Sequence, residues 1–181
     1  VLSFFNIIYS NYFNFYLNID SYVYSLVITF IFSLSFILKK KKNDYKVGIY
    51  EKIITVILGY IILPFFISIP YYFSIYNISF INAYFESVSG FTSTGFTIFE
   101  NIKHLDPSII LWRSSSQWLG GLYFLFSIVL LIDIFDVNLK KPLTNLLSFN
   151  TNETLKQSLK IIVLYSFLTL CIFLLLNIFD V

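Results

Sequence analysis

Ser89-Gly90-Phe91-Thr92-Ser93-Thr94-Gly95-Phe96-Thr97 is a run of small, hydroxyl-bearing and glycine residues set among long apolar stretches. Four of the six glycines of the chain lie between Gly90 and Gly121. Just before the run, Ile81 to Gly90 is an apolar segment of helical character. Ten helical residues reach about 15 Å, half the hydrocarbon thickness of a bilayer. Such a segment enters a membrane without crossing it. After the run, Trp112-Arg113-Ser114-Ser115-Ser116-Gln117-Trp118-Leu119-Gly120-Gly121 opens another long apolar helix. Span, half-helix, Gly/Thr-rich loop, span is the layout of a pore loop. Irregular backbone at membrane depth is tolerated only where protein buries it or it lines a wet cavity.

The composition agrees with that layout. Of 181 residues, 57% are hydrophobic and 12% charged, and the mean hydropathy is +0.79. Soluble domains carry about 25% charged residues, so an all-α integral membrane protein is expected. The single cysteine, Cys171, sits in an apolar run and reads as a packing residue; no intrachain disulfide is possible. The chain opens at Val1 with no methionine and no leader-like n-region, and it closes at Val181 inside an apolar run. A fragment is the expectation.

Charge is distributed with a purpose. Ten of the twelve Lys and Arg fall in two clusters: Lys39, Lys40, Lys41, Lys42, Lys46 and Lys52, then Lys140, Lys141, Lys156 and Lys160. The apolar stretches Ser21–Leu38, Ile53–Phe73, Ile109–Phe135 (interrupted near its start by Arg113) and Ile161–Phe179 are each long enough to cross a bilayer. Alternating their direction puts both clusters on one side, the cytoplasmic side by the positive-inside rule. Residues 1–17, studded with Asn6, Asn11 and Asn14, read as the tail of a span. Pro64 and Pro70 predict bending in the outer half of their span, and Tyr71, Tyr72 and Tyr76 an outer aromatic belt. Ser79 is placed to cap the half-helix and Pro107 to open the next helix. His104, with Glu100, Lys103 and Asp106, falls in an outer polar loop and reads as a solvated residue. The tetralysine run is read as topogenic rather than as a nucleic-acid or anionic-lipid patch.

Selecting potassium takes a ring of backbone carbonyls that replaces the hydration shell of the ion. Pointing successive carbonyls one way favours glycine where φ must be positive. Thr92-Ser93-Thr94-Gly95-Phe96 meets that need, and the C-terminal end of a half-helix favours a cation beside it. Glu86 and Arg113 are costly at membrane depth unless paired, and their positions would let them meet behind the loop as a brace. Gly120-Gly121 reads as a close-packing position before a hinge.

Two other classes of function stay open on the residues alone. Asp133 and Asp136 lie three apart on one helix face and could hold Mg²⁺ in a membrane transferase acting on lipid phosphates. The plainer reading is a pair of interfacial aspartates ending a span. A non-conducting assembly subunit is the other, because one loop cannot enclose an ion.

Ala83-Tyr84-Phe85-Glu86-Ser87-Val88-Ser89-Gly90-Phe91-Thr92-Ser93-Thr94-Gly95-Phe96, followed by Trp112-Arg113-Ser114 and Gln117-Trp118-Leu119-Gly120-Gly121, resembles the Trk/Ktr/HKT superfamily of potassium transporters, TrkH type. The resemblance implies a domain plan. Residues 1–52 would be preamble helices, the first truncated, with a Lys-rich cytoplasmic loop. Residues 53–136 would be one complete span–pore loop–span repeat, 137–160 a cytoplasmic linker, and 161–181 the first span of the next repeat. It implies K⁺ as the transported ion, held by carbonyls at Thr92, Ser93, Thr94, Gly95 and Phe96, with Gly95 at the glycine that family filters keep. Phe96-Thr97 stands where a potassium channel has Tyr-Gly, so selectivity less strict than a channel's is implied. It further implies four such repeats in one chain, a homodimer, a cytosolic nucleotide-binding regulatory subunit, no nucleic-acid partner, no organic cofactor, no enzyme activity, and residence in the bacterial cytoplasmic (inner) membrane.

Overall fold

The computed structural model describes residues 1–38, 48–135 and 154–179. These are helical, with no strand among the described residues: α1 Leu2–Tyr12, α2 Ile19–Leu38, α3 Ile49–Ser74, α4 Phe80–Phe91, α5 Pro107–Phe135 and α6 Thr154–Ile178. Short 3-10 turns lie at Tyr16–Asn18 and Ile102–His104. Four segments are long and apolar enough to cross a membrane: Tyr16–Ser35, Ile49–Ser74, Pro107–Leu131 and Leu159–Ile178. The protein is a multi-pass, all-helical membrane protein. Two compact units divide at Gly121, Val1–Gly121 and Leu122–Val181, and the candidate site lies wholly in the first. In the second unit, most apolar residues of α6 from Leu159 to Ile178 are exposed, with Ile161 buried.

α1 turns the usual burial pattern inside out. Ser3, Asn6 and Ser10, spaced to share one helix face, are buried, whereas Phe4, Phe5, Ile8 and Tyr12 are exposed. The polar face meets α2, where the Ser3 and Ser25 hydroxyls are 3.2 Å apart. In lipid, apolar side chains have no reason to turn inward. Helices there associate through small residues and hydrogen bonds instead. The asparagines that made residues 1–17 look like a worn span end thus divide in two. Asn6 is packing material, and Asn14, at φ 61°, shapes the turn after the helix.

α3 runs unbroken through Pro64 and Pro70. A proline removes one helical N–H and crowds the preceding turn, leaving carbonyls upstream underused. Near each proline an aromatic donor reaches a helix carbonyl. The Tyr84 hydroxyl donates to the Ile61 carbonyl at 3.1 Å, and the Trp112 indole N–H donates to the Ile67 carbonyl at 3.1 Å. Each acceptor sits three residues before its proline, so the two prolines become the docking points for α4 and α5. Tyr71, expected in the outer aromatic belt, is instead fully buried, while Tyr72 and Tyr76 are exposed. The difference follows from helix phase: Tyr71 shares the inward face of Ile67 and Pro64.

The turn into α4 uses Asn77 at φ 58°. The Ser79 hydroxyl then accepts from the Asn82 N–H at 3.2 Å, the N-cap its position predicts. At the head of α5, the Asp106 carboxylate accepts from the Ser108 N–H at 2.8 Å, and Pro107 fills the first helical position. The Tyr22 hydroxyl donates to the Ser108 Oγ at 3.0 Å, tying α2 to the same turn.

Candidate functional site

α4 has 12 residues, about 18 Å of helix. Its end builds the loop that follows. The N–H groups of Thr92, Ser93 and Thr94 turn back onto the carbonyls of Val88, Gly90 and Ser89, at 2.9, 3.0 and 3.0 Å. Ser93 sits at φ 55°. The 94-to-89 and 93-to-90 bonds around a left-handed residue form a Schellman cap, with serine where glycine is usual. A non-glycine residue there costs roughly 1–2 kcal/mol, which the surrounding bonds offset.

That cap decides the electrostatics of the loop. Three consecutive donors are spent on the helix end, and the matching acceptors are not. The carbonyls of Thr92, Ser93, Thr94 and Gly95 accept no hydrogen bond among the described residues, and all four residues are exposed. The Thr92 hydroxyl donates to the Val88 carbonyl at 2.8 Å and lies 2.7 Å from the Thr94 hydroxyl. Since the Thr92 proton is committed, the Thr94 proton fills the second contact and the remaining lone pairs of Thr94 stay open. Along the short arc from Thr92 to Thr94 the acceptors are therefore open while the backbone donors are turned onto the helix end, which suits a cation. Gly95 takes φ +85°, in the region where a side chain is strained. The Phe96 carbonyl differs from its neighbours, because it accepts from the Ser89 hydroxyl at 2.5 Å.

Behind the arc lies a buried ion pair. Glu86 is fully buried, and its Oε1 accepts from the Arg113 Nε at 2.6 Å. Its Oε2 accepts from the Thr97 hydroxyl at 3.0 Å and the Ile98 N–H at 3.1 Å. One carboxylate thus holds α5 with one oxygen and the chain leaving the loop with the other. The Arg113 Nη2 is buried without a hydrogen-bond partner among the described residues.

α5 comes close enough to do this because of two glycines. A Cβ on Gly120 would lie 1.7 Å from the Phe91 carbonyl oxygen, and one on Gly90 would lie 3.0 Å from the Ser116 Oγ. Ser116 and Gly120, one turn apart, let α5 pass directly over the end of α4, the close approach that small residues permit between membrane helices.

The structure therefore brings together Glu86, Arg113 and the loop Thr92–Phe96. It does not test the Asp133 and Asp136 pair: Asp136 lies outside the described residues, and Asp133 is described only as part of α5. Lys39–Lys46, Lys140 and Lys141 also lie outside them, and Lys156 is described as helix alone. Sequence reasoning missed the second half of the Glu86 contacts, the αL turn at Ser93 and the hold of Ser89 on Phe96. Serine gives no sequence signal for any of these beyond its place next to Gly90.

A half-length helix, an acceptor-rich loop and a buried ion pair behind it, in a multi-pass helical protein, suit a membrane protein that meets cations. The chain is a member of the TrkH cation transport protein family, whose match covers residues 19–180. It is 34% identical over 107 residues to an uncharacterized cation transporter of Methanocaldococcus jannaschii, covering 59% of this chain and 23% of that protein. It is 42% identical over 65 residues to the Trk system potassium uptake protein TrkI of Halomonas elongata, covering 36% and 13%. It is 31% identical over 100 residues to the Trk system potassium uptake protein TrkH of Escherichia coli, covering 55% and 20%. The matched stretch is thus under a quarter of the length of each relative. No solved structure matches.

Proposed function

We propose that this chain supplies one of four filter segments to a Trk-type potassium uptake protein of the cytoplasmic membrane. Here α4 is the re-entrant pore helix, and K⁺ is held by the carbonyls of Thr92, Ser93, Thr94 and Gly95. The Phe96 carbonyl completes the arc with the lone pair that Ser89 leaves free. The observation that carries this reading is the run of four carbonyls, without a hydrogen-bond partner among the described residues, directly after a capped half-helix. Carbonyl oxygens compensate the lost hydration of a K⁺ ion without a formal negative charge, and no carboxylate stands within the run. Glu86 and Arg113 brace the loop from behind and do not meet the ion. The family match favours transport over a lipid-phosphate transferase, and the open carbonyls favour conduction over a silent assembly role.

By family resemblance, the remaining repeats of one longer chain complete the ring. Two such chains pair, and a cytosolic nucleotide-binding subunit regulates them. Residues 53–136 make the repeat, 137–160 the linker, and 161–181 the start of the next repeat. The test is growth at low K⁺ of cells lacking their own potassium uptake. A complete protein carrying this repeat is expected to restore growth, and residues 1–181 alone are expected not to. Rescue by the 181 residues would mean that four copies close a ring by themselves. Failure of the complete, membrane-inserted protein to take up K⁺ would contradict the reading.

A further inference from the structure

Ser89 stands at the last turn of α4 and is 4% exposed, yet it is bound to both sides of Gly95. Its carbonyl accepts from the Thr94 N–H at 3.0 Å, and its hydroxyl donates to the Phe96 carbonyl at 2.5 Å. Between these anchors lies only Gly95, at φ +85°, with open space where a Cβ would be. A glycine held by nothing of its own can rotate its flanking peptides easily. What fixes the direction of the carbonyls of Thr94, Gly95 and Phe96 is therefore the residue that grips them at both ends. Glu86 holds the chain only later, at Thr97 and Ile98, and the Thr92 hydroxyl meets the Thr94 side chain, short of the Gly95 and Phe96 peptides.

We infer that Ser89 is a positioning residue that sets ion preference by clasping the loop across Gly95. The inference rests on the filter reading above. It makes the Ser89 hydroxyl, a group that touches no ion, a determinant of which cation the carbonyls fit. Without it the Phe96 carbonyl is free to turn, and the arc admits more than one spacing.

The experiment uses a complete Trk transporter carrying residues 80–121 of this chain, with K⁺ and Na⁺ uptake measured at matched amounts in the membrane. Loss of one hydrogen bond of this kind corresponds to about a tenfold effect. Ser89→Ala is thus expected to raise the KM for K⁺ and to lower preference for K⁺ over Na⁺ by about tenfold, with maximal rate unchanged. Ser89→Cys fills the same space with a weak donor and should resemble the alanine variant. Ser89→Thr keeps the hydroxyl and should retain the parent's preference. A role in packing alone predicts the reverse for Cys and Thr, and that pattern would overturn the clasp. So would a Ser89→Ala protein with the parent's KM and preference while Gly95→Ser is impaired. If Gly95→Ser also transports like the parent, the filter reading falls together with the clasp.

Discussion

Arg113 reaches Glu86 through Nε, the guanidinium nitrogen nearest the backbone. That detail separates arginine from lysine at this position. A lysine has a methylene near there and carries its only nitrogen further out, so it cannot donate from the same point. Arg113→Lys should therefore behave much like Arg113→Ala, with both lowering thermal stability of the purified transporter. Removing one member of a buried pair costs roughly 3–5 kcal/mol, because the other charge is stranded. Glu86 still accepts from Thr97 and Ile98, so the loop is expected to loosen rather than dissolve. The double change Arg113→Ala with Glu86→Ala should regain part of the loss. Strictly additive single effects in a thermal-shift cycle would contradict a direct pair.

Where α4 and α5 cross, the limiting contact is backbone on backbone. Gly120→Ala places a methyl carbon 1.7 Å from the Phe91 carbonyl oxygen, and neither helix has a flexible side chain there to move aside. The change should push α5 off the end of α4, cost more than the roughly 1–3 kcal/mol of ordinary overpacking, and abolish uptake. Gly90→Ala meets only the Ser116 hydroxyl, at 3.0 Å, and should retain transport. Equal activity of the two variants would show that the helices do not cross as described. Much of this crossing was legible beforehand. Half-helix length, the Ser79 cap, the Pro107 start and the pairing of Glu86 with Arg113 all follow from spacing and the cost of a lone charge in lipid. Tyr71 was not legible, because an aromatic near a span end fits a belt and a core equally well. Nor was the αL turn at Ser93, since serine tolerates it only when neighbouring bonds compel it. The prolines predict bending, but not that Tyr84 and Trp112 would donate to carbonyls three residues before them.

Across the whole protein, a segregated set of lysines fixes direction. Both basic clusters are expected inside and Glu100–Asp106 outside. Single cysteines introduced at positions 41 and 103 of the complete protein, with Cys171 replaced, can be labelled in intact cells by an impermeant reagent. Position 103 should react and position 41 should not. The opposite pattern would invert the topology and place the carbonyl arc at the cytoplasmic face.

The most direct measurement is the relative uptake of K⁺ and Na⁺ by Gly95→Ser and Gly90→Ser in one complete transporter at equal membrane levels. At φ +85° a serine is strained by roughly 1–3 kcal/mol, enough to distort neighbouring carbonyls, whereas Gly90 lies within α4 and outside the arc. Gly95→Ser is expected to lose K⁺ over Na⁺ discrimination or to stop transporting, while inserting normally, and Gly90→Ser to be milder. A Gly95→Ser protein that takes up both ions like its parent would contradict the assignment of Thr92–Phe96 as the ion-selecting segment.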